Sequence, residues 1–141
     1  MPDPFAAYSD TVRTHFRAPR NAGGFAVGRE RILAGSAGQR RHGREVEFQL
    51  QLTADGRIGD CRYHVYGCPA TIALCSLTSE ALKGRTPAEA AGFSVVALVE
   101  QLGLPAEKRD AAITVEDAVR AAVGRYNAAS AISPAVRQLQ V

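Results

Sequence analysis

REVEFQLQL, at residues 44–52, alternates polar and apolar residues along its whole length. A period of two is typical of a β-strand that buries one face. The apolar set begins at Val46, so this set is predicted to enter the core. Asp55-Gly56 follows as a strong hairpin signal, and a return strand is predicted over about residues 58–66.

A helix is predicted to begin directly after this hairpin, at Gly67-Cys68-Pro69. Proline is tolerated at the first helical position because its missing N–H would have no partner there. Apolar residues at helical spacing continue to about Lys83, and Gly84 is a natural stop. Cys68 therefore falls at or beside the N-cap, where free N–H groups and the helix dipole favour a thiolate.

The flanking regions predict further helices around this centre. Upstream, an amphipathic helix ends before Pro19, a short strand begins near Ile32, and residues 35–43 form a mobile glycine-rich loop. Downstream, a capping box at residues 86–89 starts short helices, and a last helix runs through Tyr126. This order predicts an α+β fold with an antiparallel sheet and helices packed mainly on one face.

Composition is that of an ordinary globular domain of 141 residues with a formal net charge of +3. One domain over residues 1–130 is predicted, with a frayed tail over 131–141. No secretory signal or membrane span is predicted, so the expected location is cytoplasmic. The basic residues 40–44 suit a solvated loop or an acidic protein partner better than nucleic acid, because no aromatic residues interleave them.

The three cysteines are predicted to be free thiols, because their odd number and the absence of an export signal argue against disulfides. Alternation places Cys61 on the buried face of its strand and His64 on the opposite face. Cys75 lies two turns beyond Cys68 on the helix, too far to share one metal ion, and is expected in the core. His15 is expected at the surface. No standard catalytic motif is present, so no enzyme is predicted.

Several segments resemble the start, middle and end of the IscU/NifU-type scaffold proteins of iron–sulfur cluster assembly. They are residues 7–10, 15–16 and 19–23 near the N-terminus, Tyr66-Gly67-Cys68, and Glu116-Asp117-Ala118. The resemblance runs from about residue 6 to 127. It implies a three-stranded antiparallel sheet, a scaffold rather than an enzyme, and cysteine desulfurase-type or other assembly proteins as partners.

The resemblance also implies a ligand set, which this chain carries in altered form. Cys68 is kept, but His42 stands where the family has a loop cysteine and Arg44 where it has an aspartate. Asp110 stands for a histidine and Ala111 for a second cysteine. The implied metal ligands are therefore Cys68, His42 and Asp110. Their cargo would be a [2Fe–2S] cluster or a single zinc or iron ion.

Two other functions remain open on the same residues. The chain is alternatively a degenerate, non-cluster interaction or regulatory protein, in which Arg44 pairs with Asp110 or the Cys68 thiolate. It is otherwise a sulfur carrier that uses Cys68. Relatives carry Leu-Pro-Pro-Val-Lys for an Hsp70-type chaperone where residues 104–108 read LPAEK, and the charge of Glu107 argues against that partner.

Overall fold

The computed structural model describes residues 8–25 and 32–131. Its helices and strands, in chain order, are α1 (Asp10–Arg17), β1 (Ile32–Gln39), β2 (Arg44–Leu52), β3 (Ile58–Tyr66), α2 (Pro69–Leu82), α3 (Pro87–Ala91), α4 (Val95–Gln101) and α5 (Arg109–Ala131). Short 3₁₀ turns at Arg40–His42 and Ala106–Lys108 precede β2 and α5.

The sheet has three antiparallel strands in the order β1-β2-β3, which confirms the α+β prediction. β2 and β3 occupy the ranges that the alternating pattern and the Asp55-Gly56 turn predicted. Phe48 and Tyr63 are paired across these strands, and both are fully buried. Their ring centroids lie 5.7 Å apart in a tilted arrangement, at the centre of the core.

The core lies between the buried face of the sheet and the helices. α5 packs on β1 and β2, whereas α2 packs on β3 and α1. The approach of α5 to β1 is very close at Gly35, where a Cβ atom would overlap the backbone of Ala122. Glycine is therefore required at Gly35 by packing.

The prediction of a mobile loop over residues 35–43 is wrong for its first half. β1 continues through Gln39, pairing Gly35 with Phe48 and Gly38 with Glu45, and only the turn at residues 40–43 connects it to β2. The glycines of this segment permit close backbone contacts within a strand, so they do not signal flexibility here.

His15 is buried, with 7% of its surface exposed, so its predicted surface position is also wrong. Its Nδ1 lies 2.6 Å from the Ser76 hydroxyl, which also accepts from the backbone N–H of Arg20 at 2.9 Å. These bonds join α1 and the chain after it to α2.

The described ranges contain no helix long and apolar enough to cross a bilayer. Apart from Ala131, the predicted tail over 131–141 lies outside the described residues, as does the side chain of Tyr126.

Candidate functional site

Cys68 is the N-cap residue of α2, directly after Gly67 and the end of β3. Its backbone is extended, with φ −75° and ψ 167°, and Pro69 occupies the first helical position, as predicted. The Cys68 Sγ lies 3.3 Å from the Thr71 hydroxyl, three residues along the helix. A Cβ atom at Gly67 would lie against the Thr71 side chain, so glycine at this position leaves room for Thr71 beside the Cys68 sulfur.

Lys108 reaches the same sulfur from the other side of the site. Its ammonium group donates to the Cys68 Sγ at 3.7 Å from the 3₁₀ turn that precedes α5. Burial alone would raise the pKa of Cys68, but hydrogen bonding to Thr71, the Lys108 charge and the Ala70 N–H outweigh it. The pKa of Cys68 therefore lies below its ordinary value, and the thiolate is favoured.

The other two cysteines are structural. Cys61 and Cys75 are fully buried in the core, as predicted. Burial raises the pKa of Cys61 to about 12 and raises that of Cys75 well above its usual range. Cys68, which is half-buried, is thus the one thiol available to a reagent, a metal or a partner.

The connection between β1 and β2 lies at the same end of the sheet as Cys68, because Glu45 at the start of β2 pairs with Tyr66 at the end of β3. His42 is exposed in the Arg40–His42 turn, and Gly43 reverses the chain with φ 88° before Arg44 begins β2. Arg44 Nη1 donates to the Thr114 hydroxyl of α5 at 3.4 Å. These elements enclose an open cleft of about 350 Å³ that is lined by Gly38, Gln39, His42, Arg44 and Thr114.

Asp110 lies in the first turn of α5 and is exposed, whereas Ala111 is fully buried. Within the described residues Arg44 forms no ion pair with Asp110, the pair that the second hypothesis expected, and its Nη1 bonds to the Thr114 hydroxyl. Lys108, and not Arg44, provides the cation beside the Cys68 thiolate. The start of α5 turns Ala111 towards the core and leaves Asp110 on the solvent side.

Over residues 8–25 and 32–131, the structure brings together no group of three or more His, Cys, Asp or Glu that could hold a metal ion. His42, Cys68 and Asp110 lie on three separate elements. One reachable thiol beside an ammonium group does not fit a thiolate-rich [2Fe–2S] cluster held by this chain alone, since such clusters are bound mostly by cysteine.

Lys108 and Thr71 were missed as neighbours of the thiol in the sequence. Thr71 had a readable signal, because it stands three residues after the N-cap, where a side chain can reach back to the cap. Lys108 had none, since it lies 40 residues from Cys68 along the chain.

Comparison with known proteins places most of the chain in a single family. Residues 7–132 match the family described as the NifU-like N terminal domain. The iron–sulfur cluster assembly scaffold protein IscU of Escherichia coli K12 is 36% identical over 120 residues, which cover 85% of this chain and 94% of that protein. The protein of the same name from Azotobacter vinelandii is also 36% identical over 120 residues, with the same coverage.

Solved structures share the fold. A putative iron–sulfur cluster assembly scaffold protein for the SUF system from Fervidobacterium islandicum superposes with a TM-score of 0.65. It is 14% identical, and the match covers 86% of this chain and 99% of that one. A NifU-like N-terminal protein from Brucella abortus gives a TM-score of 0.51 at 16% identity, covering 85% and 79% of the two chains.

Proposed function

Since this chain belongs to the family of NifU-like N-terminal domains, we propose that it acts in iron–sulfur cluster assembly as a scaffold-like protein with an atypical ligand set. The observation that carries the proposal is Cys68, a half-buried N-cap cysteine with a lowered pKa. A scaffold holds its cargo and passes it on, so the chain is assigned no catalytic turnover of its own.

The proposed cargo is a single iron or zinc ion, because the donors of this chain are mixed. Cys68 supplies a thiolate, and the proposed additional ligands are the imidazole of His42 and the carboxylate of Asp110. One sulfur, one nitrogen and one oxygen ligand with a fourth position open suit Zn²⁺ or Fe²⁺ better than a [2Fe–2S] cluster. His42 and Asp110 are both exposed and lie on separate elements, so this ligand set requires them to move towards the thiol when the ion binds.

The proposed partners are a cysteine desulfurase-type protein and other assembly proteins, and the proposed location is the cytoplasm. The partners follow from the family, in which relatives such as the Escherichia coli protein are named assembly scaffolds. The proposal includes no nucleic acid or membrane and no Hsp70-type chaperone.

A second candidate is an interaction protein that carries no metal. The specific observation in its favour is the contact of Lys108 with the Cys68 thiol at 3.7 Å. The Lys108 ammonium group balances the charge of the thiolate, which is a role that a bound metal ion would have in a metal site. In that case the end of the molecule around Cys68 serves partner binding alone.

Metal analysis after anaerobic purification and reconstitution with ferrous iron and sulfide tests the first candidate. We expect about one iron or zinc ion per chain, with little sulfide, in a mixed-ligand site. Cys68→Ser is expected to lose this metal, whereas the matched control Cys75→Ala, which removes a buried thiol, is expected to keep it. Metal content that is negligible, or equal in Cys68→Ser and the parent chain, would contradict the scaffold role.

Partner binding separates the two candidates. Binding of a purified cysteine desulfurase to the parent chain and to Cys68→Ser is measured by calorimetry with and without iron. Binding that needs both iron and Cys68 supports the scaffold. Binding that is unchanged in metal-free Cys68→Ser supports the interaction protein.

A further inference from the structure

We propose that the cleft between the β1–β2 connection and α5 binds a small oxyanion of the phosphate or carboxylate class. Its volume of about 350 Å³ is near the lower end of ligand pockets. This role goes beyond cluster assembly and needs no metal.

The first argument is the charge of the lining. The described side chains that line the cleft offer a guanidinium, an imidazole, an amide and a hydroxyl group, and none of them is acidic. Neighbouring residues of a strand point to opposite faces, so Glu45 is directed away from Arg44. Glu45 instead pairs with Arg40 at 3.8 Å. The charge of Arg44 is therefore not neutralised within the cleft.

The second argument is the way Arg44 is held. Its Nη1 donates to the Thr114 hydroxyl, which itself donates to the Asp110 carbonyl oxygen at 3.0 Å. The Thr114 hydroxyl is thus held by α5 at the edge of the guanidinium. Because this is the one polar contact of the half-buried Arg44 side chain within the described residues, the other N–H donors remain available. A planar fork of donors matches two oxygens of a phosphate or carboxylate.

The third argument is the wall that faces this guanidinium. The Gln39 side-chain oxygen accepts from Arg41 Nε at 2.7 Å, which leaves the Gln39 NH₂ group as a donor at the cleft. Gly38 has φ 82°, and a Cβ atom there would press on the Arg44 carbonyl oxygen. The backbone of this wall therefore takes a shape that other residues adopt only with strain.

Amide chemical shifts of the full chain, titrated with inorganic phosphate and with malonate at constant ionic strength, test the proposal. The buffer is freed of metal on a chelating resin, so the result does not depend on whether the protein binds iron. We expect saturable shifts in the millimolar range that centre on Gly38, Gln39, Arg44 and Thr114. The tighter of the two anions identifies the class of ligand.

Two variants distinguish a site from general attraction. Arg44→Gln is expected to weaken binding by at least about tenfold, because it removes a charged donor. Arg40→Gln removes the same charge from the same loop but not from the cleft, and is expected to bind like the parent chain. If Arg44→Gln does not fold, Arg44→Lys, which keeps the charge but loses the fork, should still weaken binding. No saturable shift with either anion, or equal losses in the Arg44 and Arg40 variants, would overturn the site.

Discussion

Replacement of Lys108 by methionine is the most direct test of the electrostatics at Cys68. The substitution shortens the unbranched side chain by one atom and removes a positive charge 3.7 Å from the sulfur. Both groups are partly exposed, so the high-dielectric limit applies, and the attraction at this distance is about 1 kcal/mol. An energy of this size corresponds to a factor of about five in the thiolate population at low pH.

The rate of alkylation by iodoacetamide should respond in opposite directions at low and high pH. A thiolate of higher pKa is intrinsically more nucleophilic, which offsets a little under half of the change on a logarithmic scale. Well below the pKa of Cys68, Lys108→Met should react about two- to threefold more slowly than the parent chain. Well above it, both thiols are ionised and the variant should react about twofold faster.

Mass spectrometry at each pH locates the label on Cys68 and gives the rate. Lys83→Met is the matched control, because it removes one positive charge from the far end of α2, where Lys83 bonds to Asn21. Its profile should match that of the parent chain. A Lys108→Met profile that coincides with the parent, or that is slower at every pH, would refute the electrostatic effect of Lys108 on the thiolate.

Three further predictions concern the fold. Burial, and after it the charge of Arg20, lowers the pKa of His15 from its ordinary value of 6.5. As the pH falls through 6.5, His15 therefore takes up a proton in the unfolded chain before it does so in the folded chain. The free energy of unfolding should therefore fall as the pH is lowered from about 7.5 to 5.5, and fall less in His15→Gln. Equal pH dependence of urea unfolding in the two chains would count against this. Gly35→Ala should lose about 2 kcal/mol or more because its methyl group overlaps the Ala122 backbone. Gly124→Ala, which meets nothing within 4 Å on α5, should gain about 0.5–1 kcal/mol. A Gly35→Ala chain as stable as the parent in urea would show that α5 can shift on β1.

The hairpin and α2 were predictable because their signals are local. The alternation at residues 44–52, the Asp55-Gly56 turn and the helix start at Pro69 each depend on a few neighbouring residues. β1 was cut short in the prediction because Gly35 and Gly38 resemble loop residues. Their real cause is the close approach of α5 and of β2, which no local pattern reveals.

The candidate site divides in the same way. The N-cap position of Cys68 followed from the order Gly67-Cys68-Pro69 and is confirmed. The partners of the charged groups did not follow, because they depend on how α5 lies against the sheet. That packing brings Lys108 to Cys68 and Thr114 to Arg44, whereas the second hypothesis paired Arg44 with Asp110 or the Cys68 thiolate.

The burial of Cys61 and Cys75 makes the chain a reporter of its own unfolding. In the native state a thiol-specific chromogenic reagent should detect one equivalent, from Cys68, and the other two should become reactive only when the core opens. The rate at which these two thiols become reactive reports the opening of the sheet and of α2, because Cys61 lies on β3 and Cys75 lies on α2. Metal loading, anion binding and partner binding can then each be compared by how far they slow the reaction of these two buried thiols with the reagent.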